Sequence, residues 1–149
     1  MMKQEELELL TNKLSQQFFG KPFVDSVQFN NRLRTTGGRY IPAKRTIEIN
    51  PKYYKELGEE DLMGIIKHEL CHYHLHIEGK PYHHRSREFR ALLEETGSPR
   101  FCGTLPSEED KKKHQFQCRS CGLTFKRKRK INPARYRCGK CQGKIVQIQ

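Results

Sequence analysis

The sequence predicts an α+β fold in two parts: a small domain built on a helix carrying an HExxH motif and an antiparallel hairpin, then a C-terminal zinc ribbon. Three observations carry this prediction. Apolar residues recur at steps of three and four in three separate segments, the spacing of amphipathic helices. Short runs containing β-branched residues flank a Gly37-Gly38 turn and read as strands. Two CxxC pairs, Cys118/Cys121 and Cys138/Cys141, stand sixteen residues apart, the spacing of a four-cysteine zinc site.

Taken in order, residues 5–19 place Leu7, Leu10, Leu14 and Phe18 on one helical face, and Gly20 and Pro22 end the helix. Residues 23–33 alternate loosely and are expected to form a strand. Arg39-Tyr40-Ile41 and Thr46-Ile47-Glu48-Ile49 are two further strands of a hairpin around Pro42 to Lys44, and together the three are expected to make a small antiparallel sheet. Asn50-Pro51 closes it, because the residue before proline avoids the helical region, and residues 52–57 make a helical turn. A second helix starts at Gly58-Glu59-Glu60-Asp61, where acids suit the helix dipole. It runs to about Ile77, with Gly79 as its cap and Pro81 preventing continuation. A third helix spans residues 86–95, with Ser86 as N-cap and Phe89, Leu92 and Leu93 facing inward. Residues 97–110 mix Gly, Pro, Ser and acids and read as a linker. The domains are therefore set at 1–110 and 111–149.

Charge separates the two parts as well. Residues 111–149 hold 13 Lys and Arg and no acid, whereas residues 1–110 hold 16 bases against 17 acids. The net charge of +12 therefore sits in the last quarter of the chain. Such asymmetry points to a nucleic-acid-contacting tail on a neutral body. No apolar run reaches membrane-spanning length. The first residues are acidic where a signal peptide is basic, so the expected compartment is the cytoplasm. There, six cysteines suggest metal ligation before disulfides.

His68-Glu69-Leu70-Cys71-His72 carries the chemistry of the first part. Residues four apart share one helical face, so His68 and His72 can hold one zinc ion. Glu69 is placed to take a proton from a zinc-activated water and return it to a leaving amine. Catalytic zinc needs a third protein ligand and an open position. His76 continues the stripe but lies roughly 12 Å along the axis from His68, which leaves His83 and His84 beyond the Gly79 turn. His74 and His76 are expected to be solvated residues of the helix end, Cys71 a small packed residue, and His114 a linker residue. Cys102 has no assigned role.

In the second part all four metal positions are filled by cysteines, so that zinc is expected to be structural. Phe116, Leu123 to Phe125, Tyr136 and Ile145-Val146 read as strand residues around the two knuckles. Between the CxxC pairs lie Lys126, Arg127, Lys128, Arg129 and Lys130, followed by Arg135 and Arg137. Phe125 and Tyr136 flank the run and can stack on bases, with the cations on phosphate.

The stretch HELCHYHLHIEGKPYHHRSREF, with GGRYIPAKRTIEINP before it and the ribbon after it, resembles the bacterial SprT-like family. It is similar, more distantly, to the Spartan proteases that degrade proteins crosslinked to DNA. The resemblance implies a zincin-like α+β metallopeptidase core, zinc on His68, His72 and a later histidine, and Glu69 as catalytic acid/base. Bacterial members place the third histidine four residues before an acid-aromatic pair; here that pair is Glu88-Phe89, which selects His84. Two zinc ions, one catalytic and one structural, follow. The function expected is a zinc metalloendopeptidase acting on nucleic-acid-associated proteins, DNA before RNA, working as a monomer without a membrane. Its rivals are a nucleic-acid-binding zinc protein with an inactive HExxH site and a regulator bound to the transcription or translation machinery.

Overall fold

The structure is a computed structural model that describes residues 2–100, 105–109 and 112–149. It divides into two compact units, Met1–Gly103 and Thr104–Gln149. Cys102 lies outside the described residues.

The first unit opens with α1 (Gln4–Phe19), closed by Gly20 in the left-handed conformation. The buried stripe of α1 is Leu7, Thr11, Leu14 and Ser15. It is rotated from the expected one, and Phe18 is left 38% exposed. Two small polar residues can take the inner positions because each makes a local bond: Thr11 Oγ1 donates to Leu7 O at 2.8 Å and Ser15 Oγ to Lys21 O at 2.6 Å.

The strands β1 (Ser26–Phe29), β2 (Gly38–Ile41) and β3 (Thr46–Ile49) form one sheet in the order β1-β3-β2. The β2–β3 hairpin is antiparallel, as the two runs around Pro42 to Lys44 predict, with Gly38 starting β2 instead of forming a turn, but β1 pairs parallel with β3. The sheet is thus mixed, and the first strand is shorter than expected. The reason lies in residues 30–37, which carry the chain across to the far edge so that β3 returns between β1 and β2. Asn50, fully buried, fixes that crossover. Its side-chain amide donates to Leu33 O and Thr36 O, both at 3.1 Å, while its Oδ1 caps α2 by accepting from Lys52 N at 3.0 Å.

Helix α2 (Pro51–Leu57) leads into α3 (Glu59–Ile77), the longest helix, which packs on α1, α4, β2 and β3. Gly38 lets β2 lie close to it: a Cβ at that position would sit 2.9 Å from Ile65 Cγ2 and 3.3 Å from Glu69 Cγ. Helix α4 (Arg87–Thr96) is capped by Ser86 Oγ, which accepts from Phe89 N at 3.1 Å. Phe89 and Leu93 turn into the core; Leu92 is only partly buried.

His74 and His76 do not lie in solvent. His74 is 1% exposed, with Nε2 2.7 Å from Ser15 Oγ, and His76 Nδ1 is 2.6 Å from Tyr40 Oη. Residues 69–75 of α3 are buried without interruption. Neighbours surround that half of the helix, so polarity alone does not decide which of its side chains face water.

The second unit holds a short helix α5 (Pro106–Glu109), inside the segment expected to be linker, then β4 (His114–Cys118), β5 (Thr124–Arg127) and β6 (Ile145–Gln147) in the antiparallel order β5-β4-β6. His114 begins β4 and is part of the ribbon rather than of a linker. Tyr136 lies outside the strands and is 53% exposed. No described helix is long and apolar enough to cross a membrane.

Candidate metal centres

Helix α3 presents His68 and His72 one turn apart. The chain then reverses: Gly79 takes the left-handed conformation and Lys80 N bonds back to Leu75 O at 2.9 Å. A second turn follows, with Ser86 N bonded to His83 O at 3.0 Å. This brings His84 over the helix. His84 Nε2 lies 3.1 Å from both His68 Nε2 and His72 Nε2. His83 is exposed and is not in this group.

The far nitrogens of two of these rings are engaged elsewhere. His68 Nδ1–H donates to Pro99 O at 2.8 Å and His72 Nδ1–H donates to Tyr82 O. With the proton on Nδ1, Nε2 of each ring offers a lone pair. Both lone pairs aim at the place where His84 Nε2 meets them, and a cation there would accept from all three rings. Two nitrogens on a tetrahedral zinc, each about 2.0–2.1 Å from it, are about 3.3 Å apart. The spacing therefore fits zinc. Among the described residues no fourth His, Cys, Asp or Glu joins the group, which leaves a position for water or substrate. Burial holds the His68 imidazole below its ordinary pKa and brings His72 down to about 4, so both rings are neutral, the state a ligand needs.

Phe89 lies beneath all three rings. Its centroid is 4.2 Å from that of His72, the two rings stacked and nearly parallel, and 5.3 and 5.2 Å from those of His68 and His84. Glu69, 6% exposed, leaves the helix toward β2, and burial pushes its carboxyl up to about 8. Cys71 is fully buried against Leu75, Phe89 and Leu93, the packing role expected of it.

In the ribbon the four sulfurs lie within 4.8 Å of one another, with Cys118–Cys141 at 3.4 Å and Cys121–Cys138 at 3.8 Å. These separations exceed any disulfide and match the roughly 3.8 Å between sulfurs on one tetrahedral zinc. Each knuckle turns its backbone N–H groups onto sulfur: Ser120 N and Cys121 N point at Cys118 Sγ, and Lys140 N at Cys138 Sγ. The N–H of Cys121 above all holds the Cys118 thiol below its usual pKa. Cys141 receives an N–H from Gly143, yet the sulfurs of Cys118 and Cys121 push it up. Four thiolates sharing one point need a cation to coexist. Close packing adds to the constraint, because a Cβ on Gly143 would meet Cys118 Sγ at 2.9 Å.

Lys126 and Arg127 end β5, and Lys128, Arg129 and Lys130 continue past it; all five are exposed, as are Arg135 and Arg137. Phe125 is half-buried and stacked on Phe116, with centroids 5.5 Å apart. It borders a shallow cleft of about 300 Å³ that Arg127, Ile131, Tyr136 and Arg137 also line.

Some residues of the first centre carry no signature in the sequence. Pro99 and Tyr82 act through backbone carbonyls, which every residue possesses, and Gly64 and Gly38 act by lacking a side chain.

An α+β unit with three converging imidazoles, followed by a four-cysteine ribbon, defines a zinc-ribbon protein with two groups of side chains that could hold a metal. The profile of the SprT-like family matches residues 7–114 and that of the SprT-like zinc ribbon domain residues 112–149. The chain is 57% identical to "Protein SprT-like" of Oceanobacillus iheyensis, over 96% of this chain and 95% of that one. It is 53% identical to "Protein SprT-like" of Bacillus subtilis over 99% of both. The chain belongs to the SprT-like family. Among solved structures it is similar to the crystal structure of the metallopeptidase zymogen of Pyrococcus abyssi abylysin, with TM-score 0.47 and 24% identity, over 60% of this chain and 77% of that one.

Proposed function

We propose that this chain is a zinc metalloendopeptidase that acts on proteins associated with nucleic acid, with a catalytic zinc on His68, His72 and His84 and a structural zinc on Cys118, Cys121, Cys138 and Cys141. The observation that carries the reading is the convergence of three imidazoles, open on one side, beside the helix that also bears Glu69. A purely structural site has no use for that carboxylate or for an open position.

When bound, zinc supplies Lewis acidity to the scissile carbonyl and to the attacking water. The chain supplies the rest. The carbonyls of Pro99 and Tyr82 keep His68 and His72 in the tautomer that exposes Nε2. Phe89 closes the floor and excludes water beneath the rings. The Glu69 carboxylate accepts a proton from the attacking water and returns it to the leaving nitrogen. Burial raises its proton affinity in the metal-free chain, and the charge of a bound zinc would offset that rise and keep it a carboxylate able to take a proton. The basic run from Lys126 to Lys130, with Arg135 and Arg137, supports a nucleic-acid partner held through phosphate. The balance of bases in that segment favours DNA or RNA alike by charge; DNA is the partner proposed first.

Cleavage of a DNA-bound protein by the full chain and by Glu69→Gln tests the reading. A loss of about 10²–10⁴-fold with zinc retained is expected. Unchanged cleavage would remove Glu69 from the mechanism, and no cleavage by either protein, with salt-sensitive DNA binding intact, would favour the binding-protein rival. Replacing residues 126–130 by glutamine is expected to weaken DNA binding and flatten its salt dependence by up to about five counterions.

A further inference from the structure

Four residues of α3 at steps of three and four, Gly64, Lys67, His68 and Cys71, face the segment that leaves α4. Each meets it. Lys67 Nζ donates to Gly97 O at 3.3 Å. Cys71 Sγ lies 3.8 Å from both Thr96 Oγ1 and Ser98 Oγ, and those two hydroxyls are 2.6 Å apart. His68 Nδ1 donates to Pro99 O. At Gly64 the Pro99 ring comes so close that a Cβ would sit 3.1 Å from Pro99 Cγ and 3.5 Å from Cδ. Gly97 turns the chain in the left-handed conformation, with its N–H on Glu94 O and the next N–H, of Ser98, on Leu93 O. Residues 96–99 thus form a short strap along one stripe of the motif helix.

We propose that Gly64 is a positioning residue for the histidine centre: by admitting the Pro99 ring onto α3, it sets the Pro99 carbonyl at His68 Nδ1 and so fixes the ring and tautomer with which His68 faces the metal. A glycine in the interior of a 19-residue helix otherwise only costs helix stability relative to alanine. Here its gain is the close approach. A methyl group at 64 pushes the proline ring outward and takes the carbonyl with it. The ring must give by a few tenths of an ångström, so the bond from His68 Nδ1 to its orienting acceptor lengthens and weakens while the ligand set stays unchanged. Partners of this kind typically tune metal affinity by about 10–100-fold.

The inference rests on His68, His72 and His84 holding a metal. The test is zinc affinity of the full chain, measured by competition with a chromophoric chelator, with the ribbon zinc as internal reference. Gly64→Ala is expected to weaken the histidine site by about 10–100-fold and leave the ribbon site unchanged. Gly64→Ala combined with Pro99→Ala removes the ring atoms that the new methyl meets but keeps the carbonyl, and it is expected to recover most of the loss. A helix glycine without this role would behave differently: alanine would raise the melting temperature and leave zinc affinity as it was, and that result overturns the proposal. A loss that the double variant does not recover overturns it too. Should Gly64→Ala not fold, Ser98→Ala decides, since Ser98 lies outside any element. Weakened binding at the histidine site supports the strap; unchanged binding overturns it. Absence of zinc at this site in the unaltered chain is a separate result, which removes the metallopeptidase reading itself.

Discussion

The two metal centres solve one problem in opposite ways. The ribbon gathers four sulfurs from two tight turns, and its backbone N–H groups stabilise the thiolates. Everything it needs is local to each CxxC, and only the pairing of the two knuckles is long-range. The histidine centre takes two nitrogens from one helix and a third from a loop, then fixes them with carbonyls of Tyr82 and Pro99. Its geometry is inherited from a packed core. The ribbon's few buried apolar residues, Phe116 and Ile145 among them, make a small core. The metal is therefore expected to hold the ribbon together, whereas the first unit is expected to hold its metal.

Four experiments sharpen or break that contrast, from the largest effect to the smallest. Cys118→Ser, or chelation of the ribbon zinc, is expected to unfold the ribbon, because structural zinc supplies about 10–16 kcal/mol in small metal-dependent modules. Metal content by mass spectrometry is expected to fall by one ion per chain, with amide spectra of the first unit unchanged. Loss of the first unit's fold as well would end the contrast. Phe89→Ala removes the ring under all three histidines and is expected to cost about 3–5 kcal/mol in the first unit. Thermal unfolding checks the cost, and zinc content reports the weakened histidine site.

Third, acid is expected to destabilise the metal-free first unit. Burial brings both His72 and His74 from 6.5 down to about 4. Between those values the unfolded chain binds more protons than the folded one, so stability rises with pH. The contribution is fully present above about pH 6.5 and is lost as pH falls through about 4. The shift in each histidine corresponds to roughly 3 kcal/mol. Denaturant midpoints of the chelated protein across this range give the test, and a flat profile would show that these imidazoles are not desolvated. The smallest effect is expected from Ser86→Ala. Its hydroxyl caps α4 and also bonds His83 O at 2.9 Å, next to His84. The loss is about 1 kcal/mol, with a modest decrease in zinc affinity at the histidine centre and none in the ribbon.

Much of this was legible in the chain. The helices of the first unit fall where apolar periodicity, Ser86, Gly20 and Gly79 place them, because caps and stops are local chemistry. Both CxxC pairs read directly. What failed to read has a common cause. The parallel pairing of β1 with β3 depends on a crossover pinned by Asn50, a contact between residues far apart in sequence. The buried faces of α1 and of the C-terminal half of α3 depend on neighbours. Polar residues such as Thr11, Ser15 and His74 go inside once a partner satisfies at least one of their groups. His74 Nδ1 remains buried without a partner among the described residues, so even that rule is met only in part.

The sequence by itself determined which residue types could serve as ligands and their local spacing: His68 and His72 one helical turn apart, Glu69 between them, and four cysteines in two knuckles. Covalent spacing and helix geometry suffice for that. The tertiary structure alone decided how the third imidazole meets the other two, which carbonyls orient His68 and His72, and that Gly64 leaves room for the Pro99 ring. Backbone carbonyls and absent side chains carry no compositional signal, and they acquire a role only when packing brings distant segments together.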